Sequence, residues 1–415
     1  MAMSFTPGDT VVWVVFVGTY LGMASGGVPG LALDRIGITL SALIVLLLSG
    51  TLSPTHLAGA LELPTLVLLF ALMIITAHFE LAHGFDWIAD HLSRLHASPR
   101  VLLALVIGVG GLLSMVLVND IVAFAFTPML CRGLRRRGLD PRPYLLALAG
   151  AVNGGSSATL IGNPQNILIG QLGELSFLGY TAVALVPAIV TLVVIYVVIV
   201  WVWRGALSID KQPTGNSGGN DFSAWLGLKS LFAALALVLL LATVQDRVVA
   251  ALGVALILLL GRRFSTRDLL SQVDGSLLVM IGCLFAVTAA ATELPQAERV
   301  VDWLEARHLL PYDLGSLALF SVVASNTIGN VPAVVLLLKA VPDIPTSVLY
   351  GLALFSTLSG NLLLTGSLAN IIVAERGAQA KVTLGFIDFA RVGIPVTLLS
   401  MTLAGAWLGL LGILG

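Results

Sequence analysis

The chain has 415 residues, 58% of them hydrophobic and only 10% charged, with a net charge of −1 and a mean hydropathy of +1.01. A soluble globule carries about 25% charged residues, so these figures exclude a water-soluble domain and imply an integral membrane protein. With no basic excess, nothing points to nucleic acid.

Long apolar runs, rather than alternating segments of about ten residues, argue for helices and against a β-barrel. The first ten residues hold no basic stretch before the first run, so that run reads as part of the mature fold and not a cleaved leader. The first set of runs covers 11–24, 36–48, 63–76, 101–117, 121–130, 144–152, 163–172 and 177–202. Residues 204–221 are rich in Gly, Asn, Ser and charge and read as an exposed linker. The second set covers 224–243, 248–260, 276–291, 314–328, 331–338, 348–355, 365–374 and 386–414. Cys131 and Cys283 are far apart without metal-ligand spacing, and read as apolar core residues.

The two sets repeat. An amphipathic segment with Asp-Trp (Asp86-Trp87, Asp302-Trp303) precedes each polar cluster. Next, Asn119-Asp120 in LVNDIVAFAFTP matches Gly329-Asn330 in TIGNVPAVVLLL, and Gly162–Ile167 matches Gly366–Ile371. Residues 101–130 number about 30, short of the ~40 that two crossings need. With basic residues at both ends (Arg94, Arg100; Arg132, Arg135, Arg136, Arg137, Arg142), they read as a re-entrant hairpin based on the cytoplasmic face. Following the chain from there, only Arg247, Arg299, Arg307 and Lys339 of the 21 basic residues fall outside. The expected fold is therefore an all-α polytopic membrane protein. It has two inverted repeats, about ten spanning helices (two of them broken), two opposed re-entrant hairpins, and both termini outside.

In domain terms the first repeat is 1–203, with scaffold helices in 1–83 and a hairpin and broken helix in 99–172. A cytoplasmic linker covers 204–223. The second repeat is 224–415, with its hairpin at 312–341 and broken helix at 345–375.

The chemistry concentrates in four polar clusters. Asp120, with Asn119, sits at the first hairpin tip among apolar residues, where an unpaired carboxylate is costly. It is the expected coupling-ion or proton site, a role compatible with capping the following helix. Ser325-Asn326-Thr327 and Asn330 form the second tip. Asn153, Ser156, Ser157 and Asn163 mark the first helix break; Asn361, Thr365 and Ser367 mark the second. Gly154-Gly155 and Gly360 loosen the helices, and Pro164 suits the first turn of a restarted one. Restarted helices present free N–H groups and positive dipole ends, which favour an anion or an oxygen-rich solute. None of the clusters contains Lys, Arg or His. His78 and Glu80 read as interfacial, and Glu62 and Asp274 as helix caps.

These motifs resemble the ion transporter superfamily, which contains the arsenite-efflux permeases, the NhaD-type sodium/proton antiporters and the divalent anion/sodium symporters. The arsenite permeases have an Asn-Asp followed by Thr-Pro, like Asn119-Asp120 and Thr127-Pro128, and a Gly-Ser-Leu-Ala like Gly366–Ala369. The symporters carry Ser-Asn-Thr at both tips; here only Ser325-Asn326-Thr327 fits. The resemblance implies a homodimer in a bacterial-type inner membrane, with a transport part moving against a scaffold. It implies an ion-coupled secondary transporter of an anion or an oxyacid such as arsenite, using H⁺ or Na⁺, with no other cofactor or metal beyond a possible Na⁺ near Asp120. The alternatives are a sodium/proton antiporter and a Na⁺-coupled dicarboxylate symporter. An enzyme is not expected, since no His or Cys adjoins the polar clusters. Opposed hairpins argue against a channel.

Overall fold

The computed structural model describes residues 6–27, 30–208, 224–244, 246–261, 263–341 and 343–414. Most of the expected linker, 209–223, lies outside the described residues. Among the described residues the fold is wholly helical, as the apolar runs require.

The first half contains α1 (Pro7–Ser25), α2 (Arg35–Leu48), α3 (Pro54–Ala60), α4 (Leu63–Leu81), α5 (Gly84–Arg94), α6 (Pro99–Val116), α7 (Asn119–Arg136), α8 (Arg142–Ser156), α9 (Pro164–Leu172) and α10 (Phe177–Val202). The second contains α11 (Ala224–Thr243), α12 (Arg247–Leu259), α13 (Thr266–Ser271), α14 (Gly275–Thr292), α15 (Pro295–Glu305), α16 (Leu314–Thr327), α17 (Asn330–Ala340), α18 (Thr346–Ser359), α19 (Leu368–Gln379) and α20 (Phe386–Leu410). The order of long, short and paired helices is the same in both halves. Helix starts follow local chemistry. Thr6 and Asp9 form a capping box with Pro7 in the first turn, and Ser98 caps α6 ahead of Pro99.

Helix-to-helix packing repeats as well, with the halves exchanged. The first-half helix α4 packs on α12 and α11, and α14 packs on α2 and α1. Likewise α7 packs on α19 and α17 on α9, while α10 and α20 pack on each other. The halves are thus entwined rather than side by side.

Among the described residues six helices are long and apolar enough to cross a membrane: α1, α4, α6, α10, α14 and α20. Their outward faces carry large apolar side chains, such as Leu21, Val193, Val197 and Leu398, and the shorter α11 and α12 add Phe232, Leu239 and Ile257. This is the surface of a protein whose solvent is lipid.

The structure corrects some local expectations. The stretch expected as the first re-entrant hairpin holds two helices of 18 residues each, α6 and α7, and of these α6 meets the length and hydropathy of a span. Gly154 and Gly155 do not loosen α8 but lie inside it; the break falls at 157–163. In the second half α18 continues through Ser359 and the break falls at 360–367, with a single 3₁₀ turn at Leu364–Gly366. His78 is buried, with Nδ1 2.7 Å from the Ser230 hydroxyl and its ring in a T-shaped contact with Phe264. Asp274 caps α14 by accepting from the Leu277 N–H, whereas Glu62 makes no cap and pairs with Lys339 instead. Both cysteines are free and buried, and Trp87 and Trp303 are about half exposed on α5 and α15.

Candidate functional site

Both hairpin turns end at a helix break. At the first, the Asn119 N–H donates to the Gly162 carbonyl at 3.0 Å. Gly162 must be glycine there: a Cβ would sit 2.5 Å from the Ser156 carbonyl oxygen and 2.6 Å from that of Ser114. At the second, the Asn326 amide donates to the Ser359 carbonyl at 3.0 Å, and Gly366 presses against Asn326. Gly329, which opens α17, has φ +98°, a left-handed value that favours glycine.

The two broken helices are joined by side-chain amides. Asn153 donates to Asn361 Oδ1 at 2.9 Å and to Asn370 Oδ1 at 3.0 Å, and accepts from the Ser367 hydroxyl at 3.0 Å. Asn163 donates to Ser156 Oγ at 2.9 Å and to Thr357 Oγ1 at 3.3 Å, while its own Oδ1 caps α9 by accepting from the Asn166 N–H at 2.9 Å. Asn166 donates to the Tyr180 hydroxyl at 3.2 Å. Every one of these side chains is buried. In a membrane interior amides need partners, and most of these find them across the two halves, whereas Asn361 Nδ2 is buried with none among the described residues.

Beside this junction lies a cavity of about 450 Å³, a size suited to a small solute. Asn119, Asp120, Asn330, Thr365 and Ser367 of the expected site residues line it. The others stand behind it. Asn153, Ser156, Ser157, Asn163 and Asn361 belong to the buried junction. Ser325 and Asn326 bond to carbonyls of α18. Thr327 bonds back to its own helix through the Val323 carbonyl at 2.7 Å.

Helix N-termini dominate the cavity wall. Helices α2, α7, α9, α14, α17 and α19 all start there. Side chains cap α2, α9 and α14, whereas α7, α17 and α19 have no side-chain cap bond and leave N–H groups for another acceptor. Acceptors without donors stand among them: Asn119 Oδ1 and Asn330 Oδ1 are buried with no hydrogen-bond partner. The Asp120 carboxylate is buried beside them, with no hydrogen bond or ion pair among the described residues.

Sequence reasoning missed four charged residues of the wall: Asp34, Arg35, Asp274 and Glu375. The polar clusters themselves lack a cation, but Arg35 brings one in from the start of α2. Its signal in the sequence, an Asp-Arg pair shared with Asp246-Arg247 at the matching place of the second half, was available. Among the described residues no group of His, Cys, Asp and Glu has the arrangement of a metal centre.

Residues 28–344 match the family model CitMHS, described as citrate transporter. The chain belongs to this family. Similar proteins match over most or all of the chain. The 46 kDa membrane protein of Mycobacterium leprae is 27% identical, covering 97% of this chain and 98% of its own. Inner membrane protein YbiR of Escherichia coli is 28% identical over 80% of this chain and 84% of its own. The silicon efflux transporter LSI3 of Oryza sativa is 25% identical over 96% and 97%. Among solved structures, the YdaH transporter of Alcanivorax borkumensis superimposes with a TM-score of 0.58 at 14% identity, covering 97% of this chain and 99% of that one. MtrF of Neisseria gonorrhoeae gives 0.52 at 12% identity, covering 99% and 96%. At such identities the likeness concerns the fold. The protein is a membrane transporter, not an enzyme.

Proposed function

We propose that the protein is a secondary active transporter of a small hydroxylated oxyacid, coupled to H⁺ or Na⁺ through Asp120. The observation that carries the proposal is the pairing of opposite hydrogen-bonding needs in one cavity. Three uncapped helix N-termini ask for acceptor oxygens, while Asn119 Oδ1 and Asn330 Oδ1 ask for donors. An oxyacid that keeps hydroxyl groups supplies both. A fully ionised anion would leave the two Asn oxygens unsatisfied, at a cost of about 1–3 kcal/mol each. The name of the rice relative, a silicon efflux transporter, points the same way.

Alternating access is read from the two ends of the transport helices. The near ends of α9 and α17 line the cavity. Their far ends are held to the scaffold: Lys339 of α17 pairs with Glu62, and Arg247 of α12 donates to the Gly170 carbonyl at 2.8 Å and to that of Leu175. One face is open and the other latched. In this proposal the hairpins and broken helices move as a unit against α1–α5 and α11–α15, and the repeats are inverted in the membrane.

The test is flux in reconstituted vesicles for arsenite, phosphate, sulfate, dicarboxylates and Na⁺, with Na⁺ and pH gradients varied separately. The expected result is movement of a hydroxylated oxyacid driven by one of the two gradients. Exchange of Na⁺ for H⁺ with no solute moved would make the protein an antiporter and end the oxyacid reading.

A further inference from the structure

We infer that Arg35 is the charge-selecting residue of the cavity, binding an ionised oxygen of a singly charged substrate. The inference rests on the transport reading above and adds the substrate's charge to it. Arg35 is the first residue of α2 and the one basic residue among those lining the cavity. Its guanidinium reaches across to the second hairpin turn, with Nη1 3.7 Å from where a Cβ would stand on Gly329. It makes no hydrogen bond or ion pair among the described residues.

Its counterpart shows what this position demands. Helices α2 and α12 hold the same place in the two halves, and both open with Asp-Arg. Asp34 caps α2 by accepting from the Gly37 N–H at 2.8 Å, and Asp246 caps α12 by accepting from the Val249 N–H at 3.0 Å. The following arginines then part company. Arg247 lays its two amino groups on the carbonyls of Gly170 and Leu175, in the turn that ends α9. Arg35 has no such pair of oxygens and faces the cavity. A guanidinium is permanently charged and presents a rigid fork, so the group that completes it is an oxyanion with two acceptor oxygens.

The rest of the wall sets the charge limit. Asp34 and Asp274 keep their charge while they cap, and Asp120 and Glu375 add two more carboxylates, with no second cation among the residues lining the cavity. One guanidinium among these carboxylates accommodates one negative charge. A dianion would meet uncompensated repulsion at short range. Arg35 lies on a scaffold helix and Asn330 on a hairpin, so a bound monoanion bridges the two parts.

Transport by the full chain in proteoliposomes tests this, with arsenite as the neutral probe, phosphate at mildly acid pH (below its second pKa) and lactate as singly charged probes, and sulfate as the dianion. The wild type is expected to carry a singly charged probe and to exclude sulfate. Arg35→Gln should raise KM for that probe by about tenfold or more, the worth of a charge-assisted bond. Arg35→Lys should restore part of the loss, because it keeps the charge without the fork. Thermal unfolding of both variants, recorded alongside, separates lost binding from lost folding. An unchanged KM in Arg35→Gln overturns the assignment. A wild type that moves arsenite alone, or sulfate as fast as phosphate, overturns the charge selection and leaves the transport reading standing. A wild type that moves none of the probes overturns both.

Discussion

Asp120 and Arg35 lie on the same cavity wall, yet sequence reasoning singled out only Asp120. A carboxylate in the middle of VLVNDIVAF is conspicuous because its surroundings offer it nothing. Arg35 stands where a short loop meets a helix, the ordinary place for a basic flank, and only the fold turns it inward. His78 is the reverse case. At the end of an apolar run it resembles an interfacial residue, but α11 brings Ser230 over it and buries it. At this scale one outcome is decisive. Asp120→Asn is isosteric, so the protein is expected to fold and to bind solute, while uphill movement driven by a Na⁺ or pH gradient should be lost. Full gradient-driven uptake by this variant in vesicles would remove Asp120 from the coupling step.

Among elements, the breaks after α8 and α18 were legible as polar, glycine-rich interruptions, but their boundaries were not. Gly154 and Gly155 belong to α8 because their missing side chains let neighbouring helices approach: a Cβ on Gly155 would collide with the Gly111 backbone. Close approach and helix breaking use the same residue, so composition alone cannot separate them. The true break is fixed by contacts from elsewhere, such as the Asn119 N–H on the Gly162 carbonyl. Two substitutions follow. Gly162→Ala should destabilise the protein by about 1–3 kcal/mol through overpacking, seen as a lower unfolding midpoint in detergent. Asn153→Ala should cost about 1–2 kcal/mol, since it removes bonds to Asn361, Asn370 and Ser367 that average roughly 0.6 kcal/mol each in membrane proteins. The latched face yields a third. Arg247→Ala frees the carbonyls that end α9, so a cysteine placed at Gln171 should react faster with a membrane-impermeant maleimide than in the Arg247 background.

For the molecule as a whole, the sequence carried the two-half plan through its repeated motifs, and the charge pattern suggested an orientation. Orientation can be tested directly: in a chain with Cys131 and Cys283 replaced by Ala, Arg136→Cys should label from the cytoplasmic side only. Labelling from outside would invert the assignment and exchange the faces of the open cavity and the latch. What the sequence did not carry is the exchange of partners, with α4 on α12 and α14 on α2, because no local pattern records which distant helix will cover a given face. That exchange bears on how the protein is made. When the first half leaves the ribosome, α2 and α4 must wait in the bilayer for helices not yet synthesised, and Asn153 waits for Asn361 and Asn370. A first half produced alone should be cleared by membrane quality control. The same segment produced together with a separate second half, cut within 209–223, should persist and co-purify with it.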